Sequence, residues 1–301
     1  MDRILSYTAG KDYTSIRSFL KGQRYPQAVL SQLKREPEQL TIENRLKREC
    51  RLSEPLFRGD RLQVVIREEK EPSGQIVPIE KPLKILYEDE DLLVMDKEAG
   101  MAVHPSLHHR ENSLANAVMY YMERKNSPIV FRCIHRLDKE TSGVILVAKN
   151  MLSGGILAED MQNRKIRKTY LGVCDGLFSG AGTPWEGWIE APIGRKEGSV
   201  ILRCVDFAQG QPSRTAYRVL REGRDCTLVE FRPETGRCHQ IRIHAGFIGH
   251  PLLGDYLYHP CYEKIHRVAL HAWKLTITHP VTGKEMTFES PVPKEFQDCL
   301  K

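Results

Sequence analysis

Several kinds of segment are missing from this sequence of 301 residues, and each absence excludes a class of protein. No apolar run approaches the roughly 18 residues of a membrane-spanning helix, and residues 1–6 lack the apolar core of a secretion signal. The eight cysteines occur singly, without a Cys-x-x-Cys pair. No His-x-x-x-His pair with a flanking glutamate is present. We therefore expect a soluble, cytoplasmic protein that has reduced thiols, does not enter a membrane and holds no catalytic metal.

The positive charge of the chain is concentrated near its N-terminus. The formal net charge is +6, and residues 1–70 carry 15 Lys and Arg against 10 Asp and Glu, so the remaining residues are nearly neutral. A small basic segment is typical of an appended module that binds phosphate. An ordinary solvated surface explains an excess of this size about as well.

The pattern of apolar residues divides the chain near the same point. Residues 15–20 and 27–34 have helical spacing, and residues 40–43 and 60–66 have the pattern of strands. Three prolines and a run of charged residues between positions 68 and 82 are typical of a linker. We therefore predict a small α/β module with its linker over residues 1–75 and a larger domain over residues 76–301.

Strands dominate the larger domain. A hairpin is predicted over residues 83–96, and helices are predicted after Ser113, at about 151–163 and at 239–248. Further strands are predicted at 144–148, 170–174, 188–193, 215–220, 226–231 and 268–278. Because long alternation of strand and helix is missing, we predict an α+β fold with a mixed, largely antiparallel central sheet and flanking helices.

One carboxylate stands out, at Asp138. It follows Arg136 by two residues and lies just before the apolar run at residues 144–148. This setting suggests an acid that a rigid scaffold holds beside nucleic acid. An ordinary turn is an equal alternative, because Asp-Lys-Glu-Thr-Ser-Gly is good turn chemistry.

Two other segments carry groups that could meet this carboxylate. Tyr170 follows a basic turn at the start of a strand, and Arg237 and Arg242 belong to a donor-rich segment that enters a helix. We expect one of the two arginines to form a bidentate bond with Asp138, which would keep the acid ionised and lower its pKa. A half-buried strand tyrosine and a purely structural Arg–Asp pair are the alternatives.

The order of these motifs resembles that of the RluA/RluD-type pseudouridine synthases over about residues 83–293. The matching motifs are His-Arg-Leu-Asp-Lys-Glu-Thr-Ser-Gly at 135–143, Lys-Thr-Tyr at 168–170, Thr-Gly-Arg-Cys-His-Gln-Ile-Arg-Ile-His at 235–244 and Leu-His-Ala at 270–272. The first 70 residues resemble, more weakly, the RNA-binding module of the ribosomal protein S-four type. Tyr25-Pro26-Gln27 departs from that module's usual helix start.

The resemblance implies the pseudouridine synthase fold and assigns roles to individual residues. Asp138 matches the essential aspartate of the family, Tyr170 its active-site tyrosine and Arg242 the arginine that pairs with the aspartate. Arg136 matches the arginine that fills the space left by the extracted base. We assign the neighbouring residues of the late motif to RNA contact as well: Arg237, His239 and Gln240.

The implied reaction isomerises specific uridines of structured RNA, either ribosomal or transfer RNA. The bond between sugar and base nitrogen breaks, the uracil rotates and a carbon–carbon bond forms, so no cofactor and no metal is needed. Asp138 would either attack the sugar or remove its 2′ proton. We expect a monomer. An inactive RNA-binding protein of the same fold and a base-removing glycosidase are the alternatives.

Overall fold

The structure is a computed structural model that describes residues 2–43, 47–68, 76–106, 110–260 and 263–301. Residues 69–75, which belong to the predicted linker, lie outside the described residues, as does Cys261. The other seven cysteines are unpaired thiols. No helix in the described part of the chain combines the length and the apolar character that a bilayer crossing requires.

The N-terminal part is a four-stranded antiparallel sheet with two helices, whereas the apolar pattern predicts the two helices but only two of the four strands. Its elements are β1 Arg3–Thr8, α1 Ile16–Gly22, α2 Gln27–Arg35, a short 3₁₀ helix Pro37–Gln39, β2 Leu40–Glu43, β3 Lys47–Glu49 and β4 Arg61–Ile66. The strands lie in the order β1-β4-β2-β3. Leu62 and Val64 alternate with more exposed neighbours along β4, and they pack with Phe19 and Leu33 in one apolar cluster.

The larger part is built on one sheet with ten strands in the described residues. Its elements are β5 Lys84–Glu88, β6 Leu92–Lys97, α3 Leu114–Arg124, β7 Arg132–Cys133, β8 Ser142–Ala148, α4 Met151–Gln162, β9 Arg167–Asp175, α5 Phe178–Ala181, β10 Glu186–Glu190, β11 Ile193–Arg195, β12 Arg203–Val205, β13 Arg214–Glu222, β14 Cys226–Pro233, α6 Gln240–Phe247, β15 Leu270–Thr278, β16 Glu285–Glu289 and α7 Lys294–Cys299.

This sheet confirms the predicted fold class. Its main strand order is β10-β13-β14-β9-β15-β8-β6-β5, with β16 beside β15 and β7 beside β8. The pairing of β15 with β8 is parallel, and the other pairings described for this sheet are antiparallel. The segment 188–193, predicted as one strand, is divided between β10 and β11. Pro192 lies between them and has no N–H to donate to a ladder.

A glycine allows the two parallel strands to meet. Gly143 pairs with Ala272 and has φ +110, a backbone conformation that side chains disfavour. A Cβ added at Gly143 would overlap the backbone of Ala272. The close approach holds β8, and the turn that precedes it, against β15.

The N-terminal sheet packs directly on α4. Leu152 and Ile156 of this helix belong to the same apolar cluster as the core of the N-terminal part. Arg24 donates to Asp160 at 2.5 Å, and an added Cβ on Gly155 would overlap Pro26. The division at residue 75, and the likeness of the N-terminal part to the ribosomal module, stay predictions.

Candidate active site

The motifs that are separate in the sequence converge on one cleft of about 530 Å³. The turn before β8, the start of β9 and the turn that enters α6 form its walls. Every residue predicted for catalysis or RNA contact lines it: Arg136, Asp138, Tyr170, Arg237, His239, Gln240 and Arg242. The fold therefore brings together the groups that the resemblance selects.

Asp138 lies in a turn that hydrogen bonds hold in place. The side chain of Asp138 is 23% exposed, and its backbone carbonyl accepts a hydrogen bond from the N–H of Thr141 at 3.1 Å. The buried Lys97 donates from Nζ to the carbonyl oxygens of Glu98, Met101 and Lys139 at 2.8, 2.9 and 3.1 Å. Burial lowers the pKa of Lys97 to about 8 against the opposing charges of Glu140 and Asp138. Lys97 thus ties the turn that carries Asp138 to the end of β6.

Arg242 is the cation nearest to Asp138, but its strong partner is another acid. Its guanidinium donates two hydrogen bonds to Asp255, at 2.7 and 2.6 Å. The side chains of Arg242 and Asp255 are only 2% and 1% exposed. Nη1 of Arg242 lies 3.7 Å from an oxygen of Asp138. The expected bidentate bond to Asp138 is therefore wrong: Asp255 takes it, and Asp138 keeps a longer ion pair and an open side.

Asp255 is well placed to hold Arg242. Its Oδ1 also accepts hydrogen bonds from the backbone N–H groups of Leu257 and Tyr258, at 3.1 and 3.2 Å. Burial disfavours the charge on Arg242, yet the hydrogen bonds and charge of Asp255 raise the pKa of the guanidinium above its usual value. The ring centroids of Tyr256 and Tyr258 lie 5.5 and 5.1 Å from the guanidinium carbon. Arg242 is thus held as a permanent cation.

Tyr170 lines the cleft from strand β9. It is buried on β9, opposite Phe231 of β14 and Ala272 of β15. Burial, together with the negative charge of Asp138, raises the pKa of its phenol. Tyr170 is therefore a protonated phenol at neutral pH, with a ring that can receive a flat base.

The amide of Gln240 holds the turn between β14 and α6. Its Oε1 accepts from Thr235 Oγ1 and the N–H of Arg237, at 2.7 and 3.0 Å. Its Nε2 donates to the carbonyl of Arg214 and to Thr215 Oγ1, at 3.1 and 2.8 Å. Because the oxygen and the nitrogen of this buried amide both form hydrogen bonds within the protein, the geometry favours a positioning role for Gln240 over the RNA contact expected from the sequence.

The two other residues of that turn remain accessible to different degrees. Arg237 is exposed at the rim of the cleft. His239 caps α6 with φ +57, and its Nδ1 lies 2.8 Å from the hydroxyl oxygen of Tyr258. Burial lowers the pKa of His239, so the ring is neutral at pH 7. Tyr258 in turn accepts from the N–H of Arg203 at 3.0 Å, which ties the β12 segment to the cleft.

Arg136 lies exposed at the mouth of the cleft. It forms no hydrogen bond or ion pair with any residue that the structure describes. Burial and the charge of Arg136 lower the pKa of His104, which also lines the cleft. A planar cation thus lies at the entrance with no partner among the described residues.

Three groups of functional interest were not predicted from the sequence. Asp255 belongs to a motif, Leu-Gly-Asp, that a sequence reader can notice, but nothing in the spacing links it to Arg242. His135 and Lys168, which line the cleft and are half-buried, begin the motifs at 135–143 and 168–170 but had no predicted role, and Lys97 had none either.

One cluster of groups that could ligate a metal occurs among the described residues, at Asp89, Asp91 and His279. None of these residues lines the cleft. Arg3 donates to both oxygens of Asp91, at 3.2 and 3.0 Å, and His279 lies 2.8 Å from Asp89. The cluster therefore joins β1 to the turn after β5 by ion pairs.

Comparison with known proteins identifies the family of this chain. A family model described as RNA pseudouridylate synthase matches residues 91–246. The chain is 37% identical over 246 residues to the uncharacterized RNA pseudouridine synthase YjbO of Bacillus subtilis, covering 82% of this chain and 85% of the relative. It is 36% identical over 253 residues to ribosomal large subunit pseudouridine synthase D of Nitrosomonas europaea, covering 81% and 71%.

A solved structure has the same fold. Human RNA pseudouridylate synthase domain containing 1 matches with a TM-score of 0.59 and 27% identity, over 70% of this chain and 83% of that one. The motifs, the cleft and these likenesses agree. The chain belongs to the RluA/RluD-type family of RNA pseudouridine synthases, the isomerases that convert uridine in RNA to pseudouridine.

Proposed function

We propose that this protein modifies specific uridines of structured RNA and that Asp138 is its catalytic carboxylate. The observation that carries the proposal is the position of Asp138, open to the cleft and 3.7 Å from the buried cation of Arg242. Among the described residues that line the cleft, Asp138 is the one carboxylate. A single acid beside a fixed guanidinium suits a reaction in which one group must act as an anion.

Base flipping is the first step of the proposed mechanism. A uridine inside an RNA stem cannot present its glycosidic bond, so it must leave the stack to enter a cleft. The exposed guanidinium of Arg136, which has no partner among the described residues, is a planar cation that can occupy the vacated position. Tyr170 then offers its ring to the extracted uracil.

The chemical step exchanges one bond to the sugar for another. The bond from sugar carbon 1′ to uracil nitrogen 1 breaks, the uracil rotates, and carbon 1′ joins carbon 5. The carbon 5 proton leaves and nitrogen 1 gains one, so atoms balance without a cofactor. The Asp138 anion either attacks the sugar or removes its 2′ proton, and both routes stay open. The phenol of Tyr170, protonated at pH 7, is placed to assist the proton transfer at carbon 5.

Ribosomal RNA is the favoured substrate, and transfer RNA is the alternative. The support comes from relatives named ribosomal large subunit pseudouridine synthase D, from Nitrosomonas europaea and Haemophilus influenzae. The net positive charge of residues 1–70 favours an additional contact between the N-terminal part and RNA phosphates. We infer that the protein acts as a monomer, because described residues of a single chain line the cleft, and that it acts in the cytoplasm, as the sequence analysis expects.

Two other activities are less well supported. A glycosidase would share the bond cleavage but would need a group to activate water, and no second carboxylate lines the described part of the cleft. An inactive RNA-binding protein would have no need for the buried Arg242–Asp255 pair beside Asp138.

One incubation separates these three activities. RNA that carries tritium at carbon 5 of its uridines is mixed with the protein, and release of tritium, free uracil and RNA length are measured. Isomerisation releases tritium and leaves no free uracil, a glycosidase releases uracil, and a binding protein releases neither. Carbodiimide-blocked primer extension on ribosomal and transfer RNA then identifies the modified uridine.

A further inference from the structure

The cleft contains a second polar cluster that the proposed mechanism does not use. His135 and Lys168 both line the cleft, together with the apolar side chains of Ile134 and Met161. Both ring nitrogens of His135 are buried, and neither has a hydrogen-bond partner. The side chain of Lys168 forms no hydrogen bond or ion pair with any residue that the structure describes. Buried polar atoms are almost always paired, so the two unpartnered ring nitrogens of His135 indicate that this part of the cleft receives a polar ligand.

Lys168 and Asp138 lie on different walls of the cleft, at the start of β9 and in the turn before β8. The charge of Asp138 affects the pKa values of Tyr170, His239 and Arg242. It has no such effect on Lys168, whose pKa burial alone lowers, or on His135, whose pKa burial and the charge of Lys168 lower to about 3. Lys168 therefore belongs with Tyr170 on β9, and Asp138 acts on Tyr170 from the opposite wall.

The spacing along β9 relates Lys168 to a base stacked on Tyr170. Residues two apart on a strand project from the same face, about 7 Å from each other. A uracil that lies on the ring of Tyr170, with its sugar at Asp138, therefore directs its opposite edge toward Lys168. The phosphates of the RNA stay outside, at the mouth that Arg136 marks.

We propose that Lys168 and His135 bind the hydrogen-bonding edge of the flipped uracil and select uracil over cytosine. This inference rests on the proposed function. The ammonium of Lys168 has donors only, so it needs a carbonyl oxygen such as O4. A neutral imidazole has one nitrogen that accepts, and that nitrogen suits the N3–H of uracil. Cytosine presents an amine where uracil has O4, and an unprotonated nitrogen where uracil has N3–H. Its amine would therefore face the ammonium of Lys168, donor against donor.

The rotation of the base during the reaction gives this edge a further advantage. Uracil turned about the axis through nitrogen 3 and carbon 6 exchanges nitrogen 1 with carbon 5, and O2 with O4. The edge then presents the same series of carbonyl, N–H and carbonyl as before. A subsite that reads this series accommodates the uracil both before and after the rotation, whereas cytosine has no such symmetry.

The test combines a change in the enzyme with a change in one atom of the substrate. RNA is transcribed with uridine or with 4-thiouridine, each tritiated at carbon 5, and kcat/KM is measured from tritium release. Sulfur is a weak acceptor, so the natural protein should prefer uridine by about tenfold or more. Lys168→Met should be slower on uridine by about ten- to a hundredfold, the effect of one lost hydrogen bond to a charged group. It should also lose most of the preference for oxygen over sulfur.

The controls make each outcome informative. Lys165→Met changes an exposed lysine just before β9 and should keep the preference for oxygen over sulfur. Lys168→Arg should restore part of the preference that Lys168→Met loses. A Lys168→Met protein with the full preference for uridine overturns the proposal, as does one that only raises KM and weakens salt dependence, which indicates a phosphate contact. If Lys168→Met does not fold, His135→Gln is read by the same ratio and has the same two outcomes. If the natural protein releases no tritium from any RNA, the proposed function itself fails.

Discussion

The guanidinium of Arg242 lies between two carboxylates and bonds them unequally: it donates to both oxygens of Asp255 at 2.7 and 2.6 Å, while Asp138 lies 3.7 Å away. Asp255 is buried and is also bonded by two backbone N–H groups. Asp138 faces the cleft. The arrangement keeps a fixed positive charge beside an acid whose oxygens are still available for a substrate.

Replacement of Asp255 tests this division of labour. Asp255→Asn leaves the buried Arg242 without its anion, so the free energy of unfolding should fall by about 3–5 kcal/mol. Because Arg242 is then free to turn toward Asp138, kcat for tritium release should fall more than KM rises. The exposed pair of Glu289 and Lys274 provides the control, since Glu289→Gln should cost less than about 1 kcal/mol. An Asp255→Asn protein with normal kcat would show that Asp255 does not position Arg242.

The close approach of β8 to β15 gives a second prediction. Gly143→Ala places a Cβ against the backbone of Ala272 at a residue with φ +110, so we expect a loss of several kcal/mol in urea unfolding. Gly246→Ala, at an exposed helical glycine with open space around it, should be neutral or stabilise by up to about 1 kcal/mol. Equal stabilities of the two variants would contradict the description of this strand pair.

The stability of the protein should fall in mild acid, in part because of His271. Burial lowers the pKa of this histidine to about 4, and its Nδ1 lies 2.8 Å from Ser142 Oγ. Below about pH 6.5 the imidazole of His271 is protonated in the unfolded chain but stays neutral in the folded one. The free energy of unfolding therefore decreases as the pH falls from about 6.5 to 4. The loss amounts to about 3 kcal/mol for a buried group.

Urea unfolding across this pH range measures the effect. His271→Gln should remove that part of the slope, whereas His266→Gln, at an exposed histidine, should leave it. An identical slope in all three proteins would assign the acid sensitivity to other groups.

The contribution of the N-terminal part to RNA binding can be tested without removing it. Deletion would uncover Leu152 and Ile156 of α4, so charge neutralisation is the cleaner change. Lys34→Gln with Arg35→Gln removes two exposed cations of α2. If both contact phosphate, the slope of log K against log salt should become shallower by about 0.7–0.9 per contact. Lys284→Gln with Lys294→Gln is the matched control, and equal slopes in the two double variants would refute the contact.

The local elements of this fold were largely predictable from the sequence. The apolar run at 144–148 identified β8, and the turn residues before it located Asp138, because both signals lie within a few adjacent positions. The same holds for α4, whose helical pattern survives two adjacent glycines. The break between β10 and β11 was also readable in principle, since Pro192 cannot join a ladder.

The partners of the charged residues were not predictable. Arg242 could bond either Asp138 or Asp255, and the choice depends on which acid the folded chain buries beside it. The commitment of Gln240 to Thr215 and Arg214 depends in the same way on how β13 lies against the turn. The partner of each charged or polar side chain depends on tertiary packing, and the spacing of residues in the sequence carries no information about that packing.

If Asp138 is the catalytic carboxylate, a substitution that removes only its charge should abolish the reaction. Asp138→Asn keeps the size of the side chain and removes its charge. The account predicts that single-turnover release of tritium from carbon 5 of uridine falls below detection, while the affinity for RNA stays within a few fold of the natural protein. Release of tritium by Asp138→Asn at the rate of the natural protein would show that Asp138 is not the catalytic carboxylate.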